Sequence, residues 1–238
     1  MARHGYSLIK PLFIAVGYLL LCQFSLSIAS ISSGVGAVWP VAGYGFAMLW
    51  IFGGGMWPAI AAGALASGLL NNDPVPAVLL ASGETLAAGL SVYLVRTFKR
   101  PGPIWGNPLN AILFCLGGCL VLATIASLTG VGVLTLWYDH DGAYATQMLW
   151  IWLLSDFTGT LVVAPFLLIW QKKGLEPLHR GTVLEHIALF CLVLIFGWAV
   201  FGQHQSIAVS FYPVAFVFTP VLMWAVFRME SRVLLSLV

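Results

Sequence analysis

Charged side chains are scarce in this sequence. Asp, Glu, Lys and Arg make up 8% of the 238 residues, whereas hydrophobic residues make up 61%. Globular domains carry about 25% charged residues, so the scarcity excludes a water-soluble fold. Short alternating apolar and polar stretches are also lacking, which excludes a transmembrane β-barrel. Cysteine is limited to four residues, Cys22, Cys115, Cys119 and Cys191, all inside apolar stretches. They read as small buried hydrophobes. Cys115 and Cys119 share a helix face but have no His or carboxylate beside them, which makes a poor metal site. No Gly-rich loop leads into a helix with a following Lys-Ser or Lys-Thr, so there is no phosphate cradle. "SGVGAVWP" has closely spaced glycines without a strand–helix context and reads as turn material. HExxH and a nucleophile elbow are missing too, and nothing in the chain supports catalysis. No metal, cofactor or nucleic-acid partner is expected.

What is present is long apolar segments. Backbone polar groups in a bilayer must pair internally, and long apolar runs do so as helices. The expectation is an all-α membrane protein, a polytopic bundle of about eight transmembrane helices in a lipid bilayer. The segments fall near Pro11–Ser30, Pro40–Gly53, Trp57–Leu70, Val75–Thr97, Pro108–Trp137, Ala145–Trp170, Glu185–Phe201 and Ser210–Phe227. A crossing needs about 20 residues. The second and third segments are shorter, and predict a tilted helical hairpin or a partly re-entrant pair turning at Gly53-Gly54-Gly55.

The few charges are placed asymmetrically. Arg3 and Lys10 precede the first segment, Arg96, Lys99 and Arg100 follow the fourth, Lys172, Lys173 and Arg180 follow the sixth, and Arg228 and Arg232 follow the eighth. With alternating spans all ten basic residues lie on one side, which the positive-inside rule makes the cytoplasm. Both termini are therefore expected there, in the inner (plasma) membrane of a bacterium. The opposite loops carry Asp73, Asp139, His140, Asp141 and His204. These histidines are a candidate pH or metal site beside the acids, although acidic loops are also simply solvated. After Arg232, "VLLSLV" begins a new apolar run, so residues 1–238 are expected to be a membrane domain cut from a longer chain.

Two acids fall at mid-membrane depth: Glu84 in "LLASGETLAAGLSVYL" and Asp156 in "LWIWLLSDFTGTLVVAPFLL". An aspartate at the bilayer centre costs roughly 2.5–3.5 kcal/mol on insertion scales, so such a residue is a functional candidate by default. Helical spacing puts Trp152, Gly159 and Thr160 on the Asp156 face. Leu80, Ala81, Ala87, Ala88 and Ser91 give Glu84 a face of mostly small residues, which suits close packing in lipid. The plainer alternative is that both acids are neutral or hydrogen-bonded packing devices. Pro165 predicts a kink in the Asp156 span. Trp39, Trp57, Trp137 and Trp170 suit interfacial anchoring, whereas Trp150 and Trp152 lie at a depth where they could line a pocket.

Four motifs occur in order: "VWPVAGYGFAMLWIFGGGMWPAIAAGALASGLLNN", "SGETLAAGLSVYLVR", "LWIWLLSDFTGTLVVAPFLLIW" and "VLMWAVFRMESR". Together, from about Trp39 to the end, they resemble the membrane-associated sensor domain of the first MASE type. The resemblance implies a family pattern at Trp39, Pro40, Gly43, Trp57, Pro58, Glu84, Trp152, Asp156, Gly159 and Pro165. It also implies a membrane input module joined in cis to a C-terminal output domain, a histidine kinase or an enzyme of cyclic di-GMP turnover. On this reading Asp156, Glu84, Trp152, Thr160, Gly159, Trp39, Pro40 and Pro165 carry ligand binding or signalling, and the stimulus is an unnamed small molecule or ion. Two alternatives stay open. One is a small-solute transporter or substrate-binding subunit, coupling Glu84 and Asp156 to protons or cations. The other is a structural anchor that dimerises an attached enzyme.

Overall fold

The computed structural model describes residues 8–31, 38–102, 104 and 107–170, with Ala188 and Cys191 as isolated positions. The chain divides into two compact units, Met1–Leu168 and Ile169–Val238. The expected seventh and eighth segments, the basic residues Arg3, Lys172, Lys173, Arg180, Arg228 and Arg232, and His204 all lie outside the described residues.

Every described element is helical: α1 (Ile9–Ile31), α2 (Pro40–Phe52), α3 (Trp57–Asn71), α4 (Pro74–Phe98), α5 (Pro108–Leu136) and α6 (Gly142–Trp170). α1, α4, α5 and α6 are long and apolar enough to cross a membrane. The expected bounds of these segments hold to within three residues at each end. α2 has 13 residues and α3 has 15, giving roughly 20 and 22 Å against about 30 Å of hydrocarbon. Where six of the expected segments fall, the described residues thus hold four candidate spans and two short helices.

The turn between α2 and α3 is where the glycines predict it. Gly53 has φ +97°, a conformation open to a residue without Cβ. The two arms nevertheless diverge, with α1 and α4 each packing against both of them. α4 is the central helix, contacting α2, α3 and α5. Its small residues explain why: Ala77, Ala81, Ala87, Ala88 and Ser91 are buried, while Leu79, Leu86, Leu90 and Tyr93 point outward. Lipid is as apolar as leucine, so close approach along small residues, not leucine burial, holds such helices together.

α2 begins in an unusual place. The backbone N–H of Trp39 donates to the carbonyl oxygen of Ser155 at 3.0 Å, and Ser155 lies half-way along α6. The N-terminus of α2 is therefore at mid-depth, where unpaired donors are costly. Pro40 at the first helical position removes one such donor,. Glycines then let the two backbones meet. A Cβ on Gly43 would lie 2.5 Å from the Gly159 carbonyl oxygen and 2.8 Å from Val163 Cβ, and one on Gly159 would overlap the Trp39 backbone.

The far end of α2 is held by a cation. Arg96, from the last turn of α4, donates through Nη2 to the carbonyls of Leu49 (3.2 Å) and Trp50, and its guanidinium lies 5.2 Å from the Trp50 ring centroid. It satisfies the Trp50 carbonyl at the end of α2, adds to the Gly53 N–H that the Leu49 carbonyl already accepts, and places positive charge at the negative end of the helix,. Nearby, α5 widens into a π-helical stretch at Phe114–Leu120. There the buried Phe114 meets Phe46 edge-on at 5.3 Å.

Charge separates between the two ends of the bundle. α3 joins α4 through two residues and packs antiparallel to it, Gly68 against Ala77, while α1 runs alongside α3, Ala15 near Gly63 and Gln23 bonded to Ser67. Lys10 therefore shares an end with Arg96, Lys99 and Arg100, opposite Asp73, Asp139 and Asp141. Asp141 caps α6, its Oδ1 accepting the Tyr144 N–H at 2.7 Å.

The Gly159→Val variant should lower thermal stability by about 1–3 kcal/mol, the cost of forcing volume into a packed contact. Gly89→Ala, at a position facing open space, should leave stability unchanged or raise it slightly. Thermal unfolding of the detergent-solubilised proteins checks both.

Candidate functional site

Because α2 starts at mid-depth, no part of it fills the bundle between its N-terminus and the end carrying Asp73. A cavity of about 400 Å³ lies there. Its inner end is made by Tyr18 of α1, Trp39, Glu84 of α4, and Trp152 and Asp156 of α6; Asn71, Asn72 and Tyr138 lie toward the outer end. Ala64, Ala81, Ala126 and Gly130 form much of the wall. The volume is that of a small-molecule site, with apolar walls and a few polar groups.

Both mid-depth acids reach this cavity. Asp156 sits at the midpoint of α6 and is only 5% exposed. Among the described residues its carboxylate has no hydrogen-bond or ion-pair partner. Glu84 is half-buried and accepts a hydrogen bond from Tyr18 Oη at 3.4 Å. No Lys, Arg or His is among the described lining residues, so no cationic side chain there stands beside the two acids, and either acid, if ionised, would be costly in this low-dielectric setting.

The expected site residues divide into two groups. Trp39, Glu84, Trp152 and Asp156 line the cavity. Trp152 is seated on Gly130 of α5, where a Cβ would fall within the indole. The other four form structure around it. Pro40 opens α2 and Gly159 is covered by the Trp39 backbone. Thr160 is fully buried, its Oγ1 donating to the carbonyl of Asp156 at 2.8 Å. Helical hydroxyls commonly bond back to the preceding turn in this way. Pro165 lies within α6, which continues as helix past it. Trp150, two residues from Trp152, is 59% exposed and faces outward, so it does not line the pocket. Among the described residues, which exclude His204, no group of three His, Cys, Asp or Glu suited to a metal ion includes His140. Its ring stacks at a tilt on Tyr144, 4.5 Å between centroids.

Several lining residues escaped the sequence reading. Tyr18, Cys22 and Leu26 form an i, i+4, i+8 stripe on α1, a face that marks the cavity side of the helix. Ser67, Asn71 and Asn72 follow the same logic on α3. Gln23 Nε2 donates to Ser67 Oγ at 3.1 Å, and the amide groups of Asn71 and Asn72 donate back to the carbonyls of Ser67 and Gly68.

The sequence profile of MASE1 aligns with residues 11–236, nearly the whole chain. No curated protein and no solved structure matches.

If the cavity is open to water, a cysteine at its outer end should react with a water-soluble thiol reagent. In a background with all four native cysteines replaced by serine, Asn72→Cys should be labelled readily. Ala123→Cys, at a fully buried position, should react at least tenfold more slowly, measured by mass shift over time.

Proposed function

The chain belongs to the MASE1 family, a membrane sensory input domain, and on that premise we propose that the cavity receives the stimulus. Asp156 and Glu84 are its polar centre, Trp39 and Trp152 its aromatic walls. The observation that carries this reading is Asp156 itself: a carboxyl group at mid-depth, without a partner among the described residues, lining a cavity. Intramembrane acids of this kind ordinarily face a water-filled space and serve binding or ion movement.

In this reading the domain lies in the inner membrane with both ends cytoplasmic. The described cations Lys10, Arg96, Lys99 and Arg100 gather at the end opposite the cavity mouth, in keeping with the positive-inside rule. The stimulus then enters from the outside. An output domain on the same polypeptide, a histidine kinase or an enzyme of cyclic di-GMP turnover, receives the signal in the cytoplasm, and this chain performs no chemistry itself. Homodimers would bring two such outputs together.

A stimulus shifts a two-state equilibrium only through its differential affinity for the two states; a hundredfold preference is worth about 2.7 kcal/mol. Trp39 is well placed to convert occupancy into movement. It lines the cavity, begins α2, and is bonded to α6. α2 in turn reaches Arg96 at the cytoplasmic end. The transporter reading draws support from the same half-length helix, since transporters often build midplane sites at helix ends. Uptake by reconstituted vesicles would favour it.

Asp156→Ala should insert in the membrane at wild-type levels yet lose stimulus-dependent output in cells. Arg96→Ala, outside the cavity, should retain binding but reduce the amplitude of the response. Unaltered signalling by Asp156→Ala overturns the assignment.

A further inference from the structure

We propose that the cavity binds a small organic ammonium ion, its charge held by the Glu84 and Asp156 carboxylates and its body enclosed by Trp39, Trp152 and Tyr138. The inference rests on the sensory reading for its biological purpose, but its argument is chemical.

Charge balance comes first. Two carboxyl groups line one cavity whose described walls supply no cationic side chain. Asp156 is more than nine-tenths buried and receives no hydrogen bond from any described residue, while Glu84 receives one, from Tyr18. With a neutral ligand the two acids avoid buried charge only by holding their protons. An anion would make the balance worse. A cation with N–H donors, or a quaternary ammonium, supplies what is missing.

Size and wall chemistry then choose among cations. A calcium ion takes six to eight oxygen ligands at about 2.3–2.6 Å. Among the described residues no group of three acids, histidines or cysteines is gathered to provide such a shell. A space of about 400 Å³ is also far larger than an ion requires,. The walls instead carry two indoles and two phenol rings, at Trp39, Trp152, Tyr18 and Tyr138. Aromatic faces attract organic cations, and enclosure by several rings is the usual means of recognising an alkylammonium group. Polar groups near the mouth are turned away from competing for the acids: the amides of Asn71 and Asn72 donate to their own helix.

The test uses the chain reconstituted in lipid nanodiscs. Tryptophan fluorescence and thermal unfolding are followed during titration with 1,4-diaminobutane, tetramethylammonium, and the uncharged 1,4-butanediol. Saturable responses are expected with at least one of the two cations and not with the diol. Asp156→Asn and Glu84→Gln should each weaken cation binding at least tenfold. Ala64→Phe, which fills the cavity while keeping both acids, should abolish it; this variant keeps the inference testable if an acid variant fails to fold. Equal responses to diol and diamine, or undiminished binding by Asp156→Asn, overturn the inference. So does the absence of saturation with either cation, which would leave a proton as the balancing charge. Comparing Asp156→Asn in a cellular output assay separates the two levels. Lost signalling without cation binding in the wild-type chain rejects the ammonium ligand and leaves the sensor standing. Cation binding that depends on Asp156, with signalling indifferent to it, supports the ammonium ligand and rejects the sensory role.

Discussion

A helix that ends inside a membrane must have its terminal backbone groups satisfied by protein, because lipid offers no hydrogen bonds. Most of the distinctive arrangement here follows from meeting that requirement for α2. Its first donors are reduced by Pro40 and linked through Trp39 to Ser155. At its other end the Gly53 N–H and Arg96 share the Leu49 carbonyl, and Arg96 takes that of Trp50. Those bonds require α6 and α4 to approach closely, which explains glycine at positions 43 and 159 and the row of alanines along α4. The same shortness that creates the problem leaves room for the cavity. Cavity and helix termination are thus two results of one constraint.

The acids illustrate the counterpart on the side chains. In water, Glu84 and Asp156 would be unremarkable surface charges. At mid-depth each needs a polar partner or solvent. Tyr18 gives Glu84 part of this, and the cavity supplies the remainder for both. Nothing in α4 or α6 alone makes a site; the site arises because the two acid-bearing helices face one hollow.

Much of this architecture is legible in the sequence, and the division is physical. Long spans such as α4, α5 and α6 are marked by apolar length, and the α2–α3 turn by three successive glycines. The two acids stand out because charge is so rare, and helical periodicity correctly places Trp152 beside Asp156. Periodicity says nothing of depth, however. That α2 starts half-way through the bundle depends on a backbone contact between Trp39 and Ser155, more than a hundred residues apart. Nor does it say where a hydroxyl is spent: Thr160 shares the acid's face but bonds its own helix. The π-helical stretch at Phe114–Leu120 has the composition of any apolar helix. Tyr18 carries no charge, and its role emerges only once α1 lies against Glu84.

Trp39 has a mechanical meaning beyond its place in the wall. Its backbone is pinned to α6 while α2 extends away from it, so α2 resembles a rigid lever hinged at the cavity. With a length of about 20 Å, a tilt of about 5° at the hinge would carry the opposite tip roughly 1.7 Å. Displacements of that scale are typical of helices that switch. The tip is where Arg96 grips Leu49 and Trp50, so on the proposed sensory reading a small push at the hinge would loosen that grip about 20 Å away.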